Sequence, residues 1–163
     1  MKVLIVKGVE FQLDDEDYER LKGINYHIYK ANGKDNGKVY ARRGMNTKVG
    51  KIIIPLTWDV LNIIPPIGLT VDHIDRNPKN NLKSNLRLAS KEQQVWNRKR
   101  SSLSGFKGVT RHRLYKTKKP WCAKITVRHK TIYLGHFFTP EEAAMAYNEA
   151  AKKYFGEFAV LNP

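Results

Sequence analysis

The sequence has one cysteine, Cys122, among its 163 residues. A single cysteine excludes an internal disulfide framework and a cysteine-rich zinc site. Cys122 lies in a run that alternates like a strand, so we expect a small buried thiol there. No apolar run approaches the length of a transmembrane helix, and residues 2–7 are too short for the apolar part of a secretory signal. We therefore expect a soluble intracellular protein.

Acidic residues are also scarce, at 15 against 30 Lys and Arg, which leaves a net charge of +15. The excess rises along the chain, from +3 over residues 1–60 to +5 over 61–100 and +7 over 101–163. A charge balance of this kind indicates a polyanionic partner, with nucleic acid as the first candidate. An anionic membrane surface is the alternative. It would require a basic amphipathic helix, and none is evident.

One polar stretch, residues 71–97, organises the chain and reads VDHIDRNPKNNLKSNLRLASKEQQVWN. A short apolar run ends in Asp72-His73, and a loop rich in Asn and Pro favours turns. The run 85–88 reads as a short strand, and a helix follows from Ser90, with Gln93 three residues on. The stretch therefore predicts strand, loop, strand and helix, which can gather a carboxylate, an imidazole and a helix-borne amide around one point.

This stretch resembles the HNH endonucleases, in the variety carried as phage and intron homing enzymes. The resemblance rests on Asp72-His73-Ile74-Asp75, Asn80-Asn81, Asn85-Leu86-Arg87, Gln93 and Asn97. It implies a ββα-metal finger. It also implies that His73 is the general base, that Asp72 binds a divalent metal, and that Asn85 braces the loop and orients the histidine.

The resemblance places a further metal ligand on the helix, where the family usually has His or Asn. The matching position here is Gln94, which departs from that pattern. Either Gln94 reaches the metal with its longer arm, or Asn97 one turn later does so, or the site is weakened. The expected ion is Mg²⁺, with Mn²⁺ as the alternative.

The residue types suit this chemistry without reference to the family. A hard cation such as Mg²⁺ takes oxygen ligands and keeps several waters, so one carboxylate, one amide oxygen and a phosphate suffice. A neutral imidazole can then take the proton from the attacking water. The alternative is that Asp72 and His73 are only a polar strand end before a turn.

The segment before this motif is predicted to be rich in β-structure. Residues 2–13 read as a hairpin around Gly8, and the acidic run 14–17 opens a short helix rather than a metal site. Further strands are predicted at 26–30, 39–43 and 51–56. Arg42 and Arg43, just ahead of the motif, are candidates for phosphate contacts.

A basic run, Arg98, Lys99 and Arg100, follows the predicted motif helix and precedes a small-residue linker at 101–104. Three basic residues at the end of a helix complement its dipole, and they can also contact DNA phosphates.

Beyond the linker, the pattern predicts three strands at 106–112, 121–128 and 131–137, with tight turns at 116–120 and 129–130. A helix follows, capped by Thr139 and Glu142. One face of the sheet is left exposed to enter a DNA groove. The residues expected on that face are Lys107, Arg111, Lys124, Thr126, Arg128 and Tyr133.

Residues 104–162 resemble the APETALA/ethylene-response-factor DNA-binding domain. The resemblance rests on Gly105 to Val109, Trp121 to Ile125, Tyr133 to Phe137, Thr139 to Ala144, Ala146-Tyr147, Ala150-Ala151 and Gly156 to Asn162. It implies DNA recognition by the sheet. The matching positions are Lys107, Thr110, His112, Lys124, Thr126, Thr131 and Tyr133. Most of the family's arginines are absent, so the docking mode carries over and the sequence preference does not.

We therefore expect an α+β protein of modular design. Residues 1–67 form a small β-rich region, 68–100 a ββα-metal HNH core, 101–104 a linker, and 105–163 a three-stranded antiparallel sheet packed on one helix. The partner is double-stranded DNA, and the state is a monomer, with a dimer as the alternative. The location is the cytoplasm of a bacterial host if a phage encodes the gene.

The expected reaction is hydrolysis of phosphodiester bonds in DNA. One such site cuts one strand at a time, so a site-specific nicking homing endonuclease is predicted. A double-strand break would need dimerisation or sequential cuts. Two alternatives stay open: a non-cleaving DNA-binding regulator with a degenerate HNH site, and a nuclease directed at RNA.

Overall fold

The computed structural model describes residues 1–31, 37–98, 103–111 and 118–163. The chain divides into two compact units, Met1–Lys91 and Glu92–Pro163. Both mix short helices with small antiparallel sheets, which confirms the predicted α+β class. Among the described residues, no helix is long and apolar enough to cross a membrane.

The first unit begins with a hairpin and a short helix, as the sequence predicts. Strands β1 (Lys2–Val6) and β2 (Val9–Leu13) pair antiparallel across Lys7 and Gly8, which have φ angles of 47° and 80°. Positive φ at both central positions suits the twist of a two-residue hairpin. Helix α1 (Asp15–Leu21) follows, with three acids in its first turn, where they complement the helix dipole.

A three-stranded sheet comes next. Its strands are β3 (His27–Lys30), β4 (Val39–Thr47) and β5 (Gly50–Pro55), with β4 in the centre. Helix α2 (Leu56–Leu61) starts directly after β5 and is followed by Asn62, which adopts the left-handed conformation. Asn tolerates that conformation better than most residues, so it suits the end of a helix.

The last elements of the first unit are the two strands of the motif. Strands β6 (Leu69–His73) and β7 (Leu86–Ser90) pair antiparallel, with Asp72 opposite Arg87 and His73 opposite Leu86. The connecting loop closes with a 3-10 turn at Lys83–Asn85. The predicted order of strand, loop and short strand is therefore present.

The core of the first unit collects side chains from the hairpin, α1, α2 and β7. Phe11, Leu13 and Val60 are fully buried. Burying such side chains supplies the main stabilising term for a small unit, about 2 kcal/mol each. The other buried members of this cluster are Leu4, Val6, Leu21, Tyr26, Ala41, Leu56 and Leu86.

The second unit holds a sheet and two helices. Helix α3 (Lys91–Trp96) starts at the last residue of the first unit, and all its other residues belong to the second. The sheet consists of β8 (Val109–Arg111), β9 (Trp121–Val127) and β10 (Lys130–Phe137), with β9 in the centre. The β9–β10 turn falls on Arg128 and His129, one residue earlier than predicted.

Helix α4 (Pro140–Phe155) packs on this sheet through small side chains. Ala143, Ala144, Ala150 and Ala151 are buried, so the helix can approach the strands closely. The predicted cap is present, because Thr139 Oγ1 accepts a 3.2 Å hydrogen bond from Glu142 N.

Helix α3 packs within the second unit through Trp96. Its ring stacks on Phe155 with centroids 4.6 Å apart. Its carbonyl accepts a 2.6 Å bond from Lys107 Nζ, and Glu92 Oε1 accepts a 2.8 Å bond from Arg128 N. The segment from Glu92 to Trp96 is therefore an integral part of this unit.

Candidate functional site

Asp72, the expected metal ligand, stands near the end of β6 opposite Arg87. Its Oδ2 lies 3.2 Å from Arg87 Nε and 3.3 Å from Nη2. The two side chains are 13% and 10% exposed, so this ion pair is largely shielded from water. A shielded charge needs a partner, and the cross-strand register supplies one.

His73, the expected general base, is the last residue of β6 and is buried, with 9% of its surface exposed. Its Nε2 lies 3.2 Å from Asn81 Oδ1. Asn81 Nδ2 donates a 3.1 Å bond to the Pro78 carbonyl, which fixes the amide so that its oxygen faces the ring. An amide oxygen only accepts, so Nε2 carries the proton and Nδ1 is the basic nitrogen.

The surroundings of His73 favour the neutral imidazole. Burial lowers the pKa of His73 below its ordinary value, because desolvation disfavours the charged form. The hydrogen bond to Asn81 and the charges of Asp75 and Asp72 act in the opposite direction with less effect. The ring is therefore ready to accept a proton at neutral pH.

Asn85, the expected brace, ties together the two ends of the motif loop, residues 74–85, which connect β6 to β7. Its Oδ1 accepts a 3.0 Å bond from Asp75 N, and its Nδ2 donates to Asp75 Oδ1 at 2.9 Å and to the Asn80 carbonyl at 2.8 Å. Partial burial raises the pKa of Asp75. Hydrogen bonds from Asn77, Asn85 and Asn80 outweigh it, so this pKa is lowered and the carboxylate stays ionised.

Asn81 was not predicted to have a role of its own, because the sequence indicated the Asn80-Asn81 pair only as part of the motif. In the structure, Asn81 Oδ1 accepts a hydrogen bond from the His73 ring, and Asn81 is 1% exposed. The ion pair of Arg87 with Asp72 was not predicted either. The antiparallel register of β6 and β7, which places Arg87 directly opposite Asp72, is the signal that could have predicted it.

The donor set of the first unit suits a hard cation. Asp72 offers carboxylate oxygen, the ligand type that Mg²⁺ and Mn²⁺ prefer. Within the described ranges, no group of three or more His, Cys, Asp and Glu side chains gathers as a ready-made cage. A site of this kind would rely on one carboxylate, an amide oxygen, water and phosphate. Gln94 and Asn97 belong to the second unit and stay predictions from the sequence.

Arg42 and Arg43 have different surroundings on β4. Arg43 donates two bonds to the Asp59 carboxylate, at 2.8 and 2.7 Å, and Tyr26 donates a third at 2.6 Å. The charge of Arg43 is therefore largely neutralised within the unit. Arg42 lies over the Tyr29 ring at 4.3 Å, on the sheet face that also carries exposed His27.

In the second unit, the exposed face of the β8–β9–β10 sheet carries polar and basic side chains. Lys124 lies opposite Tyr133, and Thr126 lies opposite Thr131 with their hydroxyl oxygens 3.2 Å apart. Thr110 pairs with Cys122 on the neighbouring strand and shares this face by alternation. Five of the seven positions named from the resemblance therefore lie exposed on one face. We call Thr110, Lys124, Thr126, Thr131 and Tyr133 the sheet face.

The other candidate DNA contacts lie at the rim or outside the described residues. Arg111 stands opposite Trp121, with its guanidinium 5.7 Å from the indole ring. Arg128 is exposed in the β9–β10 turn, and Lys107 is bonded to the Trp96 carbonyl. Arg98 is exposed after α3. Lys99, Arg100 and His112 lie outside the described residues, as do parts of the predicted linker and of the turn at 116–120.

Comparison with known proteins adds independent information on the motif. Residues 64–95 match the HNH endonuclease family model. The chain is 38% identical over 97 residues, 60% of its length, to an uncharacterized HNH endonuclease, L560, of Acanthamoeba polyphaga mimivirus. It is 37% identical over 75 residues, 45% of its length, to Protein 3.8 of Escherichia phage T7. The chain spans about half of the first relative (49%) and 60% of the second.

The C-terminal region has relatives of another kind. It is similar to the AP2-like ethylene-responsive transcription factor ANT of Arabidopsis thaliana, with 46% identity over 59 residues. That match covers 35% of this chain and 10% of the plant protein. The chain thus joins an HNH endonuclease motif to a region with partial similarity to AP2-like DNA-binding domains, which confirms both resemblances.

Proposed function

We propose that this chain, with its HNH motif and its AP2-like region, is a metal-dependent DNA endonuclease that nicks duplex DNA where its C-terminal sheet binds. The observation that carries the proposal is the buried His73 imidazole, held by Asn81 at 3.2 Å within the matched segment. The match to the HNH endonuclease family model and the similarity to the mimivirus HNH endonuclease also support a nuclease function.

In this proposal, His73 is the general base. With the proton on Nε2 and Asn81 Oδ1 as its acceptor, Nδ1 takes the proton from the attacking water. The lowered pKa keeps the ring neutral before the reaction. Asn85 acts through the loop, because its three bonds to Asp75 and Asn80 hold the segment that carries Asn81.

Asp72 is the proposed metal ligand, with Gln94 or Asn97 as the sequence-derived second ligand. A bound Mg²⁺ or Mn²⁺ would polarise the phosphate and stabilise the charge on the leaving oxygen. Arg87 holds the Asp72 carboxylate in place and carries a positive charge beside the same oxygen, where a DNA phosphate is attracted.

The sheet face is the proposed DNA-binding surface of the second unit. It combines the Lys124 charge with three hydroxyls and the Tyr133 ring, which is 56% exposed. Such a surface suits contacts with phosphates and base edges. Arg128, Arg111, Arg98, Lys99, Arg100, Lys107 and His112 are proposed as further DNA contacts, and Arg42 as a contact from the first unit. Arg43 stays a prediction from the sequence, because its guanidinium is already paired with Asp59.

A second candidate function, a DNA-binding regulator without cleavage, has one observation in its favour. The Asp72 carboxylate is already paired with Arg87, so a cation must compete with a guanidinium for it. The Gln94 departure in the sequence points the same way. Binding without cleavage is therefore the alternative that an experiment must separate.

The test is incubation of the chain with a supercoiled plasmid library in Mg²⁺ or Mn²⁺, with EDTA as the control. The proposed enzyme converts supercoiled plasmid into nicked circles, and EDTA abolishes the conversion. His73→Ala removes cleavage and leaves DNA affinity within about threefold, because binding is spread over many phosphate contacts.

The result identifies which function is correct. A wild-type chain that binds DNA but leaves the plasmid supercoiled in both metals is the regulator. A His73→Ala variant that still nicks at a near-normal rate would refute the assignment of the base.

A further inference from the structure

The N-terminal hairpin is bonded to the motif loop through the backbone of one residue. Gln12 N donates a 2.7 Å bond to the Lys79 carbonyl, and the Gln12 carbonyl accepts a 2.9 Å bond from Asn81 N. Gln12 and Asn80 thereby form an isolated parallel bridge. The residue that contacts the His73 ring is therefore held by β2, although about 70 residues separate the two segments.

Asp14, just after β2, makes a second tie to the same loop. It occupies the N-cap position of α1, yet its side chain makes no capping bond to that helix. Its Oδ2 instead accepts a 2.8 Å bond from the backbone N of Lys83, the first residue of the 3-10 turn that ends in Asn85. A carboxylate bound to a backbone N–H at a turn is a charge-assisted bond.

Asp17 adds a third tie, one turn along α1. Its carboxylate is fully buried, and Lys83 Nζ lies 3.1 Å from Oδ2 in an ion-pair contact. Its Oδ1 accepts a 2.6 Å bond from Arg20 Nη2, and Arg20 also bonds the carbonyls of Asp59 and Val60. Burying a carboxylate is costly unless partners surround it, so its neighbours are held in place.

We infer that Asp14 and Asp17 are positioning residues for the motif loop. Asp14 binds the backbone N of Lys83, and Asp17 binds its ammonium group. The 3-10 turn that starts at Lys83 then fixes the position of Asn85. The Gln12 bridge fixes the backbone of Asn81, whose side chain contacts His73. This role deepens the proposed nuclease function and rests on it. It also gives two residues of the acidic run 14–17 a role in positioning the loop, whereas the sequence pattern predicted only that this run opens a helix.

Asp14 could also affect activity by stabilising α1 as an acidic residue near its N-terminus. One matched control variant separates this effect from the positioning of the loop. Glu16 lies in the same first turn, is exposed, and carries the same charge near the same helix N-terminus. Glu16→Ala therefore removes an equal contribution to the helix dipole without touching the loop. Asp14→Asn keeps an oxygen that can accept the bond from Lys83 N, so it is the rescuing variant.

The experiment compares plasmid nicking by the wild-type chain with nicking by three variants: Asp14→Ala, Asp14→Asn and Glu16→Ala. In Asp14→Ala we expect kcat to fall about tenfold, because a small displacement of the base raises the barrier. KM for DNA should stay within about twofold, since no DNA contact is removed. Asp14→Asn and Glu16→Ala should keep near wild-type kcat.

Amide hydrogen exchange supplies a readout that does not depend on cleavage. The Lys83 and Asn81 amides should exchange faster in Asp14→Ala than in Glu16→Ala, while the amides of β4 keep their protection. Equal exchange in the two variants, or an equal loss of kcat in both, would overturn the inference. A wild-type chain that leaves plasmid supercoiled removes the proposed function instead, and the exchange rates still decide whether Asp14 holds the loop.

Discussion

At the scale of single residues, the site depends on which groups surround one imidazole. Asn81 Oδ1 accepts a hydrogen bond from His73 Nε2, and the Pro78 carbonyl accepts a bond from Asn81 Nδ2 that fixes the amide. This short chain of bonds selects the tautomer in which Nδ1 is basic. The same arrangement with Asn81 rotated would present an N–H to the ring and would favour the other tautomer.

The pH dependence of cleavage should follow His73. Its pKa lies below the ordinary value of 6.5, chiefly because the ring is buried. The neutral ring is the active base, so the rate rises as the pH rises through this lowered pKa and falls in more acidic solution. Initial nicking rates at saturating DNA, measured at about pH 4.5 to 8, should give an acid limb with a midpoint below 6.5.

The Asn81→Leu variant tests the cause of that limb. Because the bond to Asn81 raises the pKa of His73, its loss should move the acid limb to still lower pH. The plateau rate should fall as well, because the preferred tautomer is no longer selected. A midpoint above pH 6.5 in the wild-type chain would show that another group controls the profile.

At the scale of elements, close packing in the second unit depends on one glycine. Gly108 has a φ of 77°, and its carbonyl accepts a 2.9 Å bond from Lys124 N. A Cβ at this position would lie 2.0 Å from Tyr147 Cδ2 and 2.8 Å from the Lys124 carbonyl oxygen. Helix α4 therefore rests on a backbone that leaves no room for a side chain.

Gly108→Ala should destabilise the second unit by about 3 kcal/mol, from steric overlap together with left-handed strain. Gly105→Ala is the matched control, because Gly105 also has a φ of 77° but has no atom within 4 Å of its added Cβ. The control should cost about 1 kcal/mol. Urea denaturation of both variants measures the difference, and equal losses would show that the contact with Tyr147 has no energetic weight.

At the scale of the whole molecule, the second unit begins before the small-residue linker. The Trp96 stack on Phe155, together with the bonds of Lys107 to the Trp96 carbonyl and of Glu92 to Arg128, ties residues 92–96 to the sheet and α4. A fragment that starts at the linker predicted at 101–104 would lack residues 92–96 and therefore all of these contacts. A fragment that retains residues 92–96 is therefore the better candidate for independent folding.

We predict that residues 92–163 fold alone and bind duplex DNA, with affinity that falls steeply between ~50 and ~200 mM salt. Residues 104–163, which lack Trp96, should be less stable by about 3 kcal/mol. Circular dichroism and fluorescence anisotropy measure the two properties. A matched pair, Lys124→Gln on the sheet face and Lys153→Gln on α4, should show a larger loss of affinity for Lys124→Gln.

A folded fragment 92–163 that shows no binding at ~50 mM salt would remove the proposed role of the sheet. Equal losses of affinity in the two lysine variants would indicate attraction by net charge rather than docking through the sheet face.

Local patterns in the sequence predicted much of this protein. The β1–β2 hairpin, α1, the strand-loop-strand order around Asp72 and His73, and the capped helix after Thr139 are all present. Each depends on residues within a few positions of one another, such as a turn glycine, a capping hydroxyl or an alternating apolar run. The two family resemblances likewise rest on short spacings of fixed residue types.

Only the tertiary structure decided which side chains meet across long separations. The bonds that Asp59 accepts from Arg43 and Tyr26, and the bond from Lys83 N to Asp14 across 69 residues, have no local signature. Such contacts form because strand register and core packing bring distant segments together, and because buried charges must find partners there. The sequence therefore determined the chemistry available at the motif, and the packing around it decided which groups hold His73 in place.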